Sequence, residues 1–297
     1  MDKTYLRLPE YLKRPIAKLD DIENKNVRNI LSKYHLNTVC ENARCPNKTQ
    51  CWGECTATFL IMGKVCTRNC RFCNITSDKP KPLDKSEPLN VAKAVVEMGL
   101  KYAVITSVTR DDIKDGGAEH FKLTVDAIRN LNPEIKTEIL TPDFKGDKNA
   151  LDLIIKAHPD VFNHNMETVA SLYNVVRPEA DYGRSLYVLS YIKENAPDII
   201  TKTGIMTGLG ENKDEIEETI KDIKNAKVDI LTIGQYIRPS KNHIEVKRYY
   251  KKEEFEDLEK IAKKIGIKEC ISAPLARSSY RAFEAYKKIR EQMNVPD

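Results

Sequence analysis

From about residue 56 onward, apolar residues along the chain alternate between two periods. Short apolar runs at Ala57–Met62, Ala103–Val108, Thr137–Leu140, Asp160–Phe162, Thr201–Thr207 and Ile230–Gln235 read as strands. Between them lie segments with the helical period. Lys213–Asn225 puts Ile216, Ile220 and Ile223 on one face, with Asn212 as its cap and Glu215 as the capping-box partner. Glu253–Ile265 aligns Phe255, Leu258, Ile261 and Ile265, and Gly266 follows where a left-handed C-cap is wanted. Six β–α alternations predict an α/β fold, a parallel sheet with crossover helices curved into a partial (β/α)6 TIM-like barrel. Residues 1–56 break the alternation and read as an N-terminal extension. Residues 57–265 form the barrel, and residues 266–297 form a C-terminal extension that ends in a helix around Arg281–Glu291.

With 41% hydrophobic residues in 297, the chain can bury the core such a barrel needs. Lys+Arg 49 against Asp+Glu 44, interspersed throughout, describes a solvated surface. The small basic excess suits an acidic protein partner and not a nucleic acid. The opening Met1-Asp2-Lys3-Thr4 starts no apolar leader, and no run approaches the ~18 apolar residues of a membrane span. A cytoplasmic setting without a membrane partner is expected. Eight cysteines in such a setting point to metal binding or catalysis rather than disulfides.

Six of those cysteines form two sets. Cys40, Cys45 and Cys51 are spaced C-x4-C-x5-C, and Cys66, Cys70 and Cys73 are spaced C-x3-C-x2-C. Each set is one thiolate short of a closed iron–sulfur or zinc site, which leaves a coordination position for another group. The second set directly follows the first strand, and barrel chemistry sits on loops at the C-terminal strand ends. Zinc favours C-x2-C pairs with four protein ligands, and a disulfide framework belongs to small secreted chains, so both fit less well. A zinc-binding or electron-transfer module without turnover is the alternative from another class; a six-unit barrel is more than it needs.

The C-x3-C-x2-C loop, with Phe72 before its last cysteine, resembles that of the radical S-adenosylmethionine (SAM) enzymes. The resemblance implies a redox-active 4Fe–4S cluster on Cys66, Cys70 and Cys73 that reduces bound SAM to methionine and a 5′-deoxyadenosyl radical, with Phe72 near the adenine. Gly204-Ile205-Met206-Thr207-Gly208-Leu209-Gly210-Glu211 is similar to the fifth-strand motif of that superfamily, with Met206 in place of Ile. Where many members carry Gly-Gly-Glu to hold the SAM amino group, this chain has Thr106-Ser107-Val108, so hydroxyls or backbone would serve. Glu138 is a candidate for the SAM ribose. Asn163 and Asn165 are expected to face the barrel mouth, and Arg177 and Lys202 to steady the SAM carboxylate or the substrate.

A narrower resemblance is to the lipoyl synthase family. It rests on the first cysteine set together with Cys40-Glu41-Asn42-Ala43-Arg44-Cys45-Pro46-Asn47, Thr56-Ala57-Thr58-Phe59, Thr109-Arg110-Asp111-Asp112, Asn163-His164-Asn165-Met166-Glu167-Thr168 and Arg277-Ser278-Ser279-Tyr280. It implies a second 4Fe–4S cluster on Cys40, Cys45, Cys51 and Ser279, consumed as the sulfur source. It further implies two sulfur insertions, at C6 and C8 of an octanoyl chain on a lipoyl carrier protein or lipoyl domain. Electrons would come from a low-potential donor such as flavodoxin or ferredoxin. A serine oxygen is a harder donor than thiolate, so the iron it holds would be the easiest to lose. Another radical SAM sulfur inserter, biotin-synthase-like or methylthio-transferring, is the alternative among enzymes. Taken alone, Ser278 and Ser279 would read as caps of the final helix. Cys55 stands where the family has glycine and is not expected to ligate. Cys270 reads as a small buried hydrophobe, His158 and His243 as surface residues, and His164 as a packing group.

Overall fold

Each of the six apolar runs forms a strand whose ends lie within one residue of those expected. The computed structural model describes residues 6–13, 22–43, 45, 47–53 and 57–293. Cys55, the motif residues Arg44, Pro46 and Thr56, and the Met1–Thr4 start lie outside the described residues. The strands are β1 (Asn37–Thr38), β2 (Thr58–Ile61), β3 (Val65–Cys66), β4 (Thr76–Ser77), β5 (Tyr102–Ser107), β6 (Lys136–Leu140), β7 (Val161–Asn163), β8 (Ile200–Thr207), β9 (Ile230–Gln235) and β10 (Glu269–Ala273). The helices are α1 (Ile22–Lys33), α2 (Val39–Asn42), α3 (Lys48–Gly53), α4 (Glu87–Glu97), α5 (Ala118–Leu131), α6 (Lys148–Ala157), α7 (Tyr173–Val176), α8 (Tyr182–Asn195), α9 (Lys213–Asn225), α10 (Lys252–Ile265) and α11 (Ala282–Gln292).

One sheet runs in the order β1-β2-β5-β6-β7-β8-β9-β10. All its pairs are parallel except β1 with β2. The barrel strands therefore follow one another in chain order, as right-handed β–α crossovers produce. Both extensions contribute to the sheet. The N-terminal one adds β1 to one edge. The C-terminal one opens with a seventh parallel strand, β10, paired with β9 from Glu269↔Ile230 to Ala273↔Gly234.

The two faces of the strands bury different things. Phe59, Ile61, Ala103, Ile105, Ile139, Phe162 and Ile233 point outward and pack under the helices. Tyr102, Val104, Val161, Ile200 and Ile230 point inward and pack against Ala282, Ala285, Tyr286 and Ile289 of α11. The last helix is thus a plug in the lumen. Its Tyr286 ring lies 5.7 Å from Tyr102, with Phe283 stacked beside both.

The end signals of two helices are in place. Asn212 and Glu215 exchange the two capping-box bonds at α9, at 3.0 and 2.8 Å. Gly266 ends α10 at φ 105°, a conformation open to glycine without strain. The serine-cap reading of α11 does not hold, because its N-cap is Arg281 and no side chain caps it. Among the described residues no helix is long and apolar enough to cross a membrane.

Candidate active site

The loop of Cys66, Cys70 and Cys73 leaves the end of β2 and is closed at its base by the β3–β4 pair, Val65↔Thr76 and Cys66↔Ser77. Arg68 clamps it from within. Its guanidinium reaches Asp111 through two bonds of 2.7 and 3.0 Å and Asp143 at 2.7 Å. Asp143 is fully buried and also accepts from Arg184 at 2.8 Å; burial works against its charge, but the Arg68 guanidinium holds its carboxyl well below the usual carboxylate range. Arg71 N–H donates to Val176 C=O, and Thr67 is tied twice to Thr109 C=O. A loop fixed by planar charge pairs loses little freedom when it binds.

Two of the three sulfurs accept backbone hydrogen bonds. Cys66 Sγ accepts from the backbone N–H of Arg68 (3.4 Å) and of Thr109 (3.3 Å), and Cys73 Sγ accepts from Ile75 N–H (3.5 Å). Burial pushes the Cys70 thiol up and the Cys73 thiol up to about 12. Free thiols so placed stay protonated at neutral pH, so metal binding here is coupled to proton release. N–H groups aimed at sulfur and three soft donors on one compact loop fit a 4Fe–4S cluster.

The first cysteine set is assembled from separate pieces. Cys40 lies on α2, which Thr38 caps through Glu41 N–H. Cys51 lies on α3, and its N–H donates to Asn47 C=O. Asn47 Nδ2 in turn donates to Leu275 C=O at 2.8 Å, across 228 residues. Thr58 Oγ1 donates to Ser279 Oγ at 2.9 Å, across 221 residues. Cys40, Cys45, Cys51 and Ser279 all line a single cavity of about 430 Å³, and Phe72 and Cys73 line the same cavity. Much of the remaining wall is apolar, including Val39, Leu140, Ile205, Met206 and Ile237.

The other expected residues divide into two groups. Phe72, Asn165 and Met206 line the cavity. Asn165 is held by Ser278 and Glu167 through its Nδ2, at 2.7 and 3.1 Å. Glu138, Asn163 and Lys202 do not reach the mouth. All three are fully buried; Lys202 Nζ lies 3.0 Å from both Glu138 oxygens, and Asn163 Nδ2 (2.8 Å) and Tyr102 OH (2.7 Å) donate to the same carboxylate. The expectation that Glu138 faces SAM ribose fails for a simple reason. Leu140, two residues later on the same inward face, reaches the cavity, and Glu138 lies one layer below it. Thr106 spends its hydroxyl on Leu140 C=O at 2.8 Å, whereas Ser107 Oγ is buried and without a partner among the described residues. Arg177 is buried behind the wall and donates to Asn165 C=O (2.8 Å) and Tyr173 OH (2.7 Å).

The sequence reading gave Glu167 no role, yet it lines the cavity beside Asn165. Its backbone sits at φ 68°, an uncommon conformation for a non-glycine residue, and is pinned to β8 by Glu167 N–H to Gly204 C=O and Met206 N–H to Glu167 C=O. Burial raises its carboxyl, an effect that Arg177, Asn165 and Arg277 partly offset. Only its place in the Asn165–Thr168 stretch hinted at this. Cys270 lies in the core on β10, as expected. His164 is buried between Thr141 C=O and Ser185 Oγ, and burial lowers it to about 4. His158 is exposed and pairs with Asp198.

A barrel with three thiols on the loop after its first long parallel strand defines the radical SAM class. The profile of the radical SAM superfamily matches residues 60–223. Among solved structures, Streptococcus suis SuiB bound to S-adenosylmethionine superposes with a TM-score of 0.57 at 12% identity, covering 84% of this chain and 54% of that one. Methylornithine synthase (PylB) superposes with a TM-score of 0.54 at 13% identity, covering 92% and 93%. At such identities the likeness is one of fold. Curated relatives are much closer in sequence. The lipoyl synthase of Alkaliphilus metalliredigens is 48% identical over 96% of this chain and 98% of its own length. That of Rubrobacter xylanophilus is 52% identical over 88% and 81%, and that of Sulfolobus acidocaldarius 50% identical over 91% and 93%. The chain belongs to the lipoyl synthase family.

Proposed function

We propose that the two cysteine sets divide one reaction between them, Cys66, Cys70 and Cys73 holding the SAM-binding 4Fe–4S cluster and Cys40, Cys45, Cys51 and Ser279 the sulfur-giving one. The activity is lipoyl synthesis, the insertion of sulfur at C6 and C8 of a protein-bound octanoyl chain. The observation that carries the division of roles is the shared cavity, lined by the first cysteine set and Ser279 and also by Phe72 and Cys73. When bound, the two clusters and SAM supply hydrogen-atom abstraction from C–H bonds and the sulfur that replaces the hydrogen.

The chain's own residues do the rest. Arg68, clamped between Asp111 and Asp143, keeps the Cys66–Cys73 loop in one shape. Phe72 and Met206 offer an apolar wall to SAM, and Asn165 and Glu167 offer polar groups whose orientation is set by Ser278 and β8. Ser107, whose hydroxyl has no partner among the described residues, is the remaining candidate on β5. Val39, Leu140 and Ile237 receive the alkyl chain, each buried methylene contributing ~0.8 kcal/mol. The apolar wall also keeps water from the site of C–H cleavage. Thr58 aims its hydroxyl proton at Ser279 Oγ, which orients the oxygen lone pairs. The partner is an octanoylated lipoyl carrier protein or lipoyl domain, with a low-potential flavodoxin or ferredoxin as electron donor. The setting is the cytoplasm, where thiols stay reduced.

Anaerobic iron and sulfide analysis of the reconstituted chain, with mass spectrometry of an octanoyl-lysine peptide after a single turnover with SAM, tests this reading. About eight irons per chain and a lipoyl product are expected. About four irons, or SAM cleavage without sulfur transfer, would overturn the two-cluster assignment.

A further inference from the structure

Residues 236–251, between β9 and α10, contain no helix or strand. They are nevertheless tied down along their length. Tyr236 N–H donates to Thr207 C=O, Lys247 N–H to Gly208 C=O, and Tyr250 N–H to Gln235 Oε1. Midway, this strap crosses the SAM loop. Ile244 N–H donates to Arg71 C=O at 3.0 Å, and His243 Nε2 lies 2.9 Å from Cys73 C=O. The two bonds fall on either side of Phe72. Ile244 and Val246 then pack, with Phe72 and Met206, around Tyr236, Leu209 and Val176. His243 is therefore not the plain surface residue its Lys/Asn-rich surroundings suggest.

This imidazole is held through both ring nitrogens. A carbonyl only accepts, so Nε2 carries the hydrogen. Ser240 Oγ lies 2.9 Å from Nδ1. The gripping residues are themselves held from behind, with Arg238 Nε donating to His243 C=O (2.8 Å) and Tyr236 OH to Ile244 C=O (2.9 Å). A backbone rotation at Cys73 would have to break the imidazole bond, and a shift of the backbone that carries Phe72 would have to break one bond or the other.

We propose that His243 is a positioning residue for SAM binding. With Ser240 it latches the strap onto the carbonyl of Cys73, and so holds in place the backbone from which that thiol and the ring of Phe72 reach the cavity wall. The role in SAM binding rests on the reading of Cys66, Cys70 and Cys73 as the ligands of the SAM cluster; the latch itself does not.

The test uses the full chain with His243→Ala, with His243→Gln, whose side-chain amide also donates, and with Ser240→Ala. In the iron-free chain, amide hydrogen exchange at Arg71, Cys73 and Ile244 is expected to speed up by about tenfold in His243→Ala, the effect of one lost net hydrogen bond, and to return toward wild type in His243→Gln. In the reconstituted protein, the Kd for SAM, read from the change SAM causes in the electron paramagnetic resonance signal of the reduced cluster, is expected to rise by a similar factor of about ten. Iron on the first cysteine set should not change. Ser240→Ala should give a smaller effect in the same direction. Unchanged exchange and unchanged SAM affinity in His243→Ala would overturn the proposal. Faster exchange with unchanged SAM affinity would overturn the role in SAM binding. A wild-type chain that forms no cluster on Cys66–Cys73 would instead overturn the ligand assignment, and the exchange measurement would still decide the latch.

Discussion

The two cysteine sets have equal numbers of thiols and opposite construction. Cys66, Cys70 and Cys73 sit on one short loop, closed by β3–β4 and anchored by Arg68, a residue of that same loop, to two carboxylates. Cys40, Cys45 and Cys51 sit on two short helices and the turn between them, and Ser279 comes to them from the other end of the chain. The bonds described between those ends are few, chiefly Asn47 to Leu275 and Thr58 to Ser279. A site contained in one braced loop is organised as soon as the loop forms. A site spread over more than two hundred residues exists only once the barrel has closed around α11, because α11 follows directly on Ser279. The braced site suits a cluster that survives each turnover, and the looser one suits a cluster that is dismantled.

The sharpest way to break this comparison is to remove one thiol from each side. Cys73→Ala is expected to abolish SAM cleavage, by more than ~1000-fold, while leaving iron on the first set. Cys45→Ala is expected to leave SAM cleavage in place and abolish sulfur insertion. If either variant lost both functions and all iron, the sites would not be independent. Next, Ser279→Cys is expected to retain a cluster yet slow sulfur insertion by about 10- to 100-fold, since a fourth thiolate holds iron more firmly. Wild-type turnover in that variant would sink the idea of a labile serine ligand.

A smaller effect, on stability, follows from the plug. Tyr286→Ala leaves a hole in the lumen against Tyr102 and Phe283 and is expected to cost about 3–5 kcal/mol in denaturant unfolding. Iron on the first cysteine set should fall before iron on the second. Equal loss at both would show that α11 does not position Ser279.

The smallest expected effect is on pH. His164 is buried neutral, with its folded pKa near 4 against an ordinary value of 6.5. The unfolded chain therefore binds the extra proton between these values, and stability falls as pH drops from about 6.5 to about 4, by on the order of 3 kcal/mol at most. Below about pH 4 this group causes no further loss. His164→Gln should flatten that part of the pH–stability curve; an unchanged slope would remove His164 as its cause.

Much of the barrel was legible because its signals are local. Strand periodicity, the Asn212 capping box and Gly266 each depend on residues within one element, and the structure places them as expected. β10 was missed because Glu-Cys-Ile-Ser-Ala has neither a long apolar run nor clean alternation, and its pairing with β9 supplies what its own sequence lacks. The misplacement of Glu138 has another cause. Period-two alternation says which face a residue points to, but the depth of that face within a barrel depends on strand stagger, which is a property of the closed sheet. In the structure that depth buries Glu138 against Lys202 beneath the cavity, in a pair whose partners are costly to separate.

The sequence by itself determined the material of the site: six thiols in two spacings, each set one short of four, and a barrel to carry them. These are facts of composition and of neighbours along the chain. Only the tertiary structure decided that the first cysteine set, Ser279 and Cys73 line one cavity, that Glu167 enters it with a left-handed backbone, and that His243 reaches across to the carbonyl of Cys73. Each of these joins residues far apart in sequence, and such contacts leave no periodic trace because they depend on how the elements pack.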